Sequence, residues 1–167
     1  MPREERARAQ LLRLCKESDL SRWQFTDLVQ IQSWVIPHSH PVLTLNARWV
    51  EDDEYALATY LHEQLHWFVS AWELENPARA RKADRELLAR YPVIPAPDEG
   101  GAHDVGSTYL HLIVCSLEFA ALSELQGVES ARRTLAGATW YQWIYATIVG
   151  EWDYFDEFLR RYEVVVP

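Results

Sequence analysis

The spacing of apolar and polar residues divides the first fifty residues into two regions. Residues 3–17 are charged but carry a short apolar stripe, which predicts an N-terminal helix. Between residues 23 and 49 the helical spacing gives way to β-favouring residues punctuated by prolines. Residues 42–46 form the clearest strand of this region, and residues 29–31 and 35–36 add further β-branched side chains. Two or three short strands are therefore expected here.

A long helix is predicted after these strands. It opens on the acidic residues 51–54, which suit the positive end of a helix dipole. Its apolar side chains recur at spacings of three and four residues, as on the buried face of a helix. This stripe consists of Leu57, Leu61, Leu65, Phe68 and Trp72. Asn76 and Pro77 predict its end, because proline cannot continue a helix.

The C-terminal half is predicted to consist of helices and one long loop. Residues 91–106 carry three prolines and three glycines and predict this loop. Loops of such length are uncommon in compact domains and often functional. Helices are expected at residues 78–90, 107–126, 129–137 and 139–161, and Gly127 predicts the end of the second of them. The valines at 164–166 predict an edge strand.

Together these elements predict an α+β fold. It is mostly helical, with a short N-terminal β-sheet that precedes the helix beginning at residues 51–54. A chain of 167 residues is long enough for one domain, residues 1–167, and too short for two of ordinary size. Because 49% of the residues are hydrophobic and 13% are aromatic, disorder is excluded for the chain as a whole.

Charge and cysteine content indicate which partners and which cellular compartment to expect. A net charge of −9, with no basic stripe beyond the run at 79–90, argues against nucleic acid as a partner. The two cysteines, Cys15 and Cys115, form no disulfide framework and fit a reducing compartment. The N-terminus lacks an export signal, and no uninterrupted apolar stretch reaches the roughly 18 residues of a membrane span. We therefore expect a soluble, cytoplasmic protein with no membrane partner.

The long helix carries the sequence His62-Glu63-Gln64-Leu65-His66. Residues four positions apart project from the same helix face, so both imidazoles can bind one tetrahedral zinc ion. Glu63 is offset from His62 by about 100° around the helix axis. Its carboxylate can therefore act on a zinc-bound water without displacing either histidine. The spacing predicts a zinc site with Glu63 as general base.

This motif resembles the active-site helix of the zincin metallopeptidases, and the resemblance covers residues 42–126. It implies a zincin-like fold in which the strand at 42–46 borders a substrate cleft. It also implies a single zinc ion as cofactor. The residues after His66 do not continue with Gly-x-x-His, so the metzincin subtype is excluded.

A catalytic zinc normally has three protein ligands and an open position, so a third ligand is needed. The apolar helix at 107–126 offers His111 and Glu118, which lie two turns apart, about 10.5 Å along the axis. His111 follows the glycine-rich loop directly. Glu118 resembles the glutamate ligand of the gluzincins, although Leu122 stands where that group usually has aspartate. One of the two is expected to bind the ion.

The other residue is expected to serve the site differently. If His111 is the ligand, Glu118 would hydrogen-bond an active-site histidine. If Glu118 is the ligand, His111 would donate a hydrogen bond to the oxyanion. The predicted metal ligands are thus His62, His66 and His111, and the predicted catalytic residues are Glu63 and Glu118.

Other residues carry weaker signals. His103, Cys115 or a further carboxylate are alternative third ligands, and His103 is also a candidate substrate contact within the long loop. Cys115 is otherwise interpreted as a small core residue. His38 and His40 flank a proline turn and are interpreted as solvated. One tyrosine of the aromatic segment 140–145 is a candidate for stabilising a tetrahedral intermediate.

The predicted function is therefore a zinc-dependent metallohydrolase, and specifically a metallopeptidase acting on peptide or protein substrates. Two alternatives stay open. One is a zinc-binding domain without catalysis, whose metal supports the fold or a partner interface. The other is an aromatic-rich helical scaffold in which the histidines are ordinary core residues and no metal binds.

Overall fold

The computed structural model describes all 167 residues and contains seven α-helices and two short strands. The helices are α1 (Arg3–Glu17), α2 (Asp53–Glu75), α3 (Pro77–Arg90), α4 (Val105–Gln126), α5 (Val128–Ala136), α6 (Gln142–Gly150) and α7 (Trp152–Arg161). The strands are β1 (Val29–Ile31) and β2 (Leu43–Leu45), and single 3-10 turns lie at Ser21–Trp23 and Pro97–Glu99. The predicted mostly helical fold, with a small sheet before the motif helix, is confirmed.

Backbone proximity divides the chain into two compact units, Met1–Phe68 with Pro167, and Val69–Val166. In the first unit, β1 and β2 pair in parallel, with Val29 opposite Leu43 and Ile31 opposite Leu45. Two strands form, the lower of the two numbers expected from the sequence. Residues 35–36 lie outside both of them.

Within this first unit, Asp53 fastens α1 to the start of α2. Its carboxylate accepts hydrogen bonds from Gln10 (2.9 Å) and Arg13 (2.6 Å), both on α1. Because Asp53 opens α2, these bonds fix the origin of the helix that carries the His-Glu-x-x-His motif. The acidic start predicted for this helix thus has a tertiary role beside its effect on the helix dipole.

In the second unit, α4 is the central helix, and α3, α5, α6 and α7 all contact it. By length and composition α4 is apolar enough to cross a membrane, but 72% of the relevant window is buried within the protein. A helix covered on this scale by its own chain has the character of a core helix of a soluble protein. Gly127, at φ 85°, ends α4 as predicted, since glycine adopts this left-handed φ without strain.

The predicted single helix at 139–161 is wrong, because the chain forms α6 and α7 with a break between them. Gly150 ends α6, and glycine is a poor helix former. Glu151 follows at φ −119° and ψ 33°, outside the helical region. Its carboxylate accepts hydrogen bonds from Arg90 and from the hydroxyl of Tyr91 at the end of α3. These bonds hold the break in place.

The edge strand predicted at 164–166 is also wrong. Glu163 adopts a left-handed φ of 53° immediately after α7. Its N–H donates to the carbonyl of Arg160, and the N–H of Val164 donates to that of Leu159. This pair of bonds is a Schellman cap, which satisfies the last carbonyls of the helix and turns the chain away. The apolar valines therefore reflect burial of Val164 and Val166 rather than strand pairing.

Glu86 of α3 ties the C-terminal helix to the rest of the second unit. Its carboxylate accepts hydrogen bonds from Arg161 (2.8 and 3.0 Å), Tyr162 (2.7 Å) and Tyr154 (3.2 Å). Burial alone raises the pKa of Glu86. The hydrogen bonds from Tyr162 and Arg161 outweigh that effect and bring the pKa below its ordinary value of 4.5.

Replacing Glu86 with glutamine is expected to lower the free energy of unfolding by about 1–2 kcal/mol at neutral pH. A carboxylate whose pKa is lowered on folding stabilises the protein above its unfolded pKa. That contribution is lost as the pH falls through the folded pKa. Urea unfolding followed by circular dichroism should show the deficit of the variant shrinking between neutral pH and about pH 3. An equal deficit at both pH values would contradict this origin of the stability.

Candidate metal centre

His62, Glu63 and His66, the motif residues whose side chains can bind a metal ion or accept a proton, lie in the middle of α2, as the sequence predicts. His62 and Glu63 are 7% and 6% exposed, and His66 is half-buried. Leu61 and Leu65, interleaved with them, are fully buried. Burying imidazole and carboxylate groups among leucines costs free energy unless they have polar partners or a metal ion. The motif is thus part of the protein interior and not of a solvated helix face.

The two motif histidines direct the same ring nitrogen at one another. Their Nε2 atoms lie 3.3 Å apart, and the rings meet edge to face with centroids separated by 5.0 Å. Two imidazoles bound to one tetrahedral zinc at 2.0–2.1 Å have nitrogens about 3.3–3.4 Å apart. The observed separation is slightly longer than the roughly 2.7–3.2 Å usual for a hydrogen bond donated by nitrogen. The pair therefore has the spacing that a shared ion requires.

His111 of α4 is a further histidine that could bind a metal ion. The Nδ1 atom of His111 lies 2.7 Å from the carbonyl oxygen of Ser107. Because a carbonyl can only accept, Nδ1 carries the proton and Nε2 keeps its lone pair. A histidine that binds a metal is almost always oriented by such a bond from its other nitrogen.

Two further potential metal ligands lie on the same helix, Cys115 and Glu118. Cys115 is fully buried, which agrees with its interpretation as a core residue, and Glu118 is 2% exposed. The second unit thus presents a buried cysteine on the helix that carries both predicted third ligands.

The proximity of Cys115 could have been found in the sequence. It lies four residues after His111 and three before Glu118, so all three project from one face of α4. Cys115 is among the alternative third ligands expected from the sequence, and its spacing places it between His111 and Glu118 on this face.

The aromatic helix α6 contributes a hydroxyl to this region of α4. Tyr145 donates a hydrogen bond to Oε2 of Glu118 at 2.8 Å. Burial, and after it the nearby groups of Cys115 and Glu118, raises the pKa of Tyr145 well above its usual value. The hydroxyl therefore keeps its proton and remains a donor at physiological pH.

Tyr141, at the start of α6, lies against His111. The two ring centroids are 4.3 Å apart. Tyr141 has φ 58°, a left-handed conformation that is uncommon for residues other than glycine, asparagine and aspartate. Backbone strain of this kind tends to occur at functional sites. Two tyrosines of the segment 140–145 thus contact residues of α4, Tyr145 through its hydroxyl and Tyr141 through its ring.

Gln64, the first variable residue of the motif, stabilises the fold of the first unit. It is fully buried, and its Oε1 accepts hydrogen bonds from the backbone N–H groups of Phe25 (2.7 Å) and Thr26 (2.9 Å). Its Nε2 donates to the carbonyl of Thr26 (2.8 Å) and to the hydroxyl of Tyr60 (3.0 Å). These bonds clamp α2 to the preceding segment and so fix the rotation of the helix that presents the histidines.

The remaining histidines are not among the potential metal ligands. His38 and His40 are exposed, in line with their interpretation as loop histidines, and His40 stacks on Trp67 with centroids 4.2 Å apart. The side chain of His103 is 95% exposed, with Nδ1 3.5 Å from the carboxylate of Asp104. His103 as an alternative third ligand is therefore not supported by the geometry.

Comparisons with protein-family models, curated proteins and solved structures return no match. The chain is mostly helical and carries five largely buried side chains that could bind a metal ion. They are His62, His66, His111, Cys115 and Glu118.

Proposed function

We propose that the protein is a zinc-dependent metallohydrolase of the zincin type, acting on amide bonds of peptides or proteins. The observation that carries the proposal is the pair of motif histidines, whose Nε2 atoms lie 3.3 Å apart beside a buried glutamate. Two imidazoles and a carboxylate suit zinc better than magnesium or calcium, which prefer oxygen ligands. Neither cysteine forms a disulfide, which supports a cytoplasmic location.

In this proposal His62, His66 and His111 hold the ion, and Glu63 is the general base. A bound zinc ion supplies a Lewis acid and lowers the pKa of a coordinated water to about 7. Glu63 follows His62 directly and lies about 100° further around α2. Its carboxylate accepts the proton of the attacking water and passes it to the leaving amide nitrogen. Glu118 has a supporting catalytic role, to orient an active-site histidine.

A zinc-binding domain without catalysis is the second candidate function. The observation in its favour is the buried Cys115, a potential ligand on the same helix as His111 and Glu118, since cysteine is common in structural zinc sites. A thiolate added to the three histidines would close a four-coordinate sphere and leave no position for water. The metal would then stabilise the fold or a partner surface.

Removal of the metal separates these candidates. The zinc-loaded protein is incubated with quenched fluorescent peptides and with labelled unfolded protein, before and after treatment with a chelator. We expect hydrolysis that is lost with the metal and restored by stoichiometric zinc. Hydrolysis that survives complete removal of metal would contradict the proposal. A zinc-loaded protein that melts at higher temperature than the metal-free form but cleaves no substrate would favour the structural role.

A further inference from the structure

Glu118 lies where its carboxylate cannot be solvated. It is 2% exposed, and its chain neighbours Leu117 and Phe119 are 3% and 1% exposed. A buried carboxylate needs hydrogen-bond donors to offset its desolvation. The hydroxyl of Tyr145, at 2.8 Å from Oε2, is such a donor. A hydrogen bond to an ionised acceptor is shorter and stronger than one between neutral groups.

Tyr145 is itself held rigidly. It is 7% exposed, and Ile144 and Ile148, which flank it on α6, are fully buried. A tyrosine ring has only two side-chain torsions, whereas a glutamate has three and loses more rotamer freedom when it is ordered. A buried tyrosine therefore offers the carboxylate a donor with few alternative positions.

The long loop before α4 anchors the helix that carries Tyr145. The N–H of Trp143 in α6 donates to the carbonyl of Gly100 at 3.2 Å. Gly100 has φ 96°, and a Cβ atom there would lie 2.5 Å from the backbone nitrogen of Trp143. Only glycine allows the two backbones to approach so closely. The loop that the sequence marked as functional thus helps to set the start of α6.

We propose that Tyr145 is a positioning residue of the metal centre, which holds Glu118 in the orientation that the ion requires. This inference rests on the zinc site proposed above. Glu118 is a potential metal ligand on α4, so its orientation bears on the proposed centre either as a ligand or beside one. In both arrangements the hydroxyl of Tyr145 restricts the carboxylate to one position before the ion binds.

Tyr145→Phe tests the proposal, because it removes the hydroxyl and keeps the ring. We expect zinc affinity, measured by competition with a chromophoric chelator, to fall about 10–100-fold. We also expect the visible absorption spectrum of the cobalt-substituted protein to change, since the ligand field would be altered. In a Glu118→Ala background, Tyr145→Phe should have no further effect on affinity, because the two residues act as a pair.

Tyr109→Phe is the matched control. Tyr109 is a buried tyrosine of α4 whose hydroxyl donates to the carbonyl of Tyr91 at 2.7 Å. Its removal costs a hydrogen bond of similar length but does not touch Glu118, so zinc affinity and the cobalt spectrum should stay as in the wild type. An equal loss of affinity in the two variants would overturn the positioning role and indicate a general effect on the fold.

Two further results would count against the proposal. If Tyr145→Phe binds zinc as tightly as the wild type and keeps its cobalt spectrum, the positioning role is wrong while the zinc site stands. If the wild type binds no metal, the zinc site and the positioning role both fall. Circular dichroism of each variant verifies that the comparison is made between folded proteins.

Discussion

Glu63→Gln is expected to lower turnover about 10²–10⁴-fold while the protein keeps its full metal content. The amide has nearly the shape of the carboxylate and fits the same buried position, where Glu63 is 6% exposed. It cannot accept the proton of the attacking water at neutral pH, however. The measurement is kcat on a cleaved peptide together with zinc content by mass spectrometry. Loss of turnover with retained metal would show that Glu63 acts as the general base and not as a metal ligand.

Glu75→Gln provides a control on the same helix. Glu75 is exposed at the C-terminal end of α2, and its replacement should change neither turnover nor metal content. A Glu63→Gln variant with wild-type kcat would refute the proposed mechanism, even if zinc is bound. A variant that loses both zinc and turnover would show that Glu63 acts on the metal site itself and not as the base.

His62→Ala is expected to abolish zinc binding, the largest effect on the metal of any single substitution. His62 is a ligand in every coordination sphere proposed here, whichever residue of α4 completes it, so its loss breaks each of them. The Nε2 atom of His66 would also lose the neighbour that lies 3.3 Å away. Zinc content and a zinc titration by calorimetry measure the effect. His103→Ala, at an exposed site, is the control and should bind zinc normally.

Zinc binding by two further variants identifies the third ligand. If the three histidines hold the ion, His111→Ala loses most of its zinc and Glu118→Ala retains it with reduced affinity. The opposite order would assign the ion to His62, Cys115 and Glu118. Retention of zinc in His62→Ala itself would contradict both assignments.

Much of the helical architecture could be predicted because its causes are local. The stripe of α2 and the stops at Pro77 and Gly127 depend on residues within a few positions of one another. The break between α6 and α7 could not be seen in the same way. Glu151 leaves the helical conformation while its carboxylate bonds Arg90, which lies 61 residues earlier in the chain. Periodicity contains no information on such a partner.

The candidate metal centre, like the helices, can be predicted only where its causes are local in the sequence. The spacing of His62 and His66 fixes their shared face through helix geometry alone. The choice between His111 and Glu118 depends on a distant part of the chain, so helix geometry does not decide it. The bond from Tyr145 to Glu118 spans 27 residues, and the sequence indicates only that one tyrosine of the segment 140–145 serves the site. Long-range pairs of polar side chains are what sequence patterns leave undetermined.

Metal analysis shows whether the chain binds zinc through the His-Glu-x-x-His helix. The protein is purified without chelator, offered zinc, freed of excess metal and measured by inductively coupled plasma mass spectrometry against its concentration. We expect one zinc ion per chain, and none in His62→Ala prepared in the same way. A wild-type protein that retains no zinc after this treatment would mean that the motif is a coincidence of sequence, and the hydrolase proposal would fail with it.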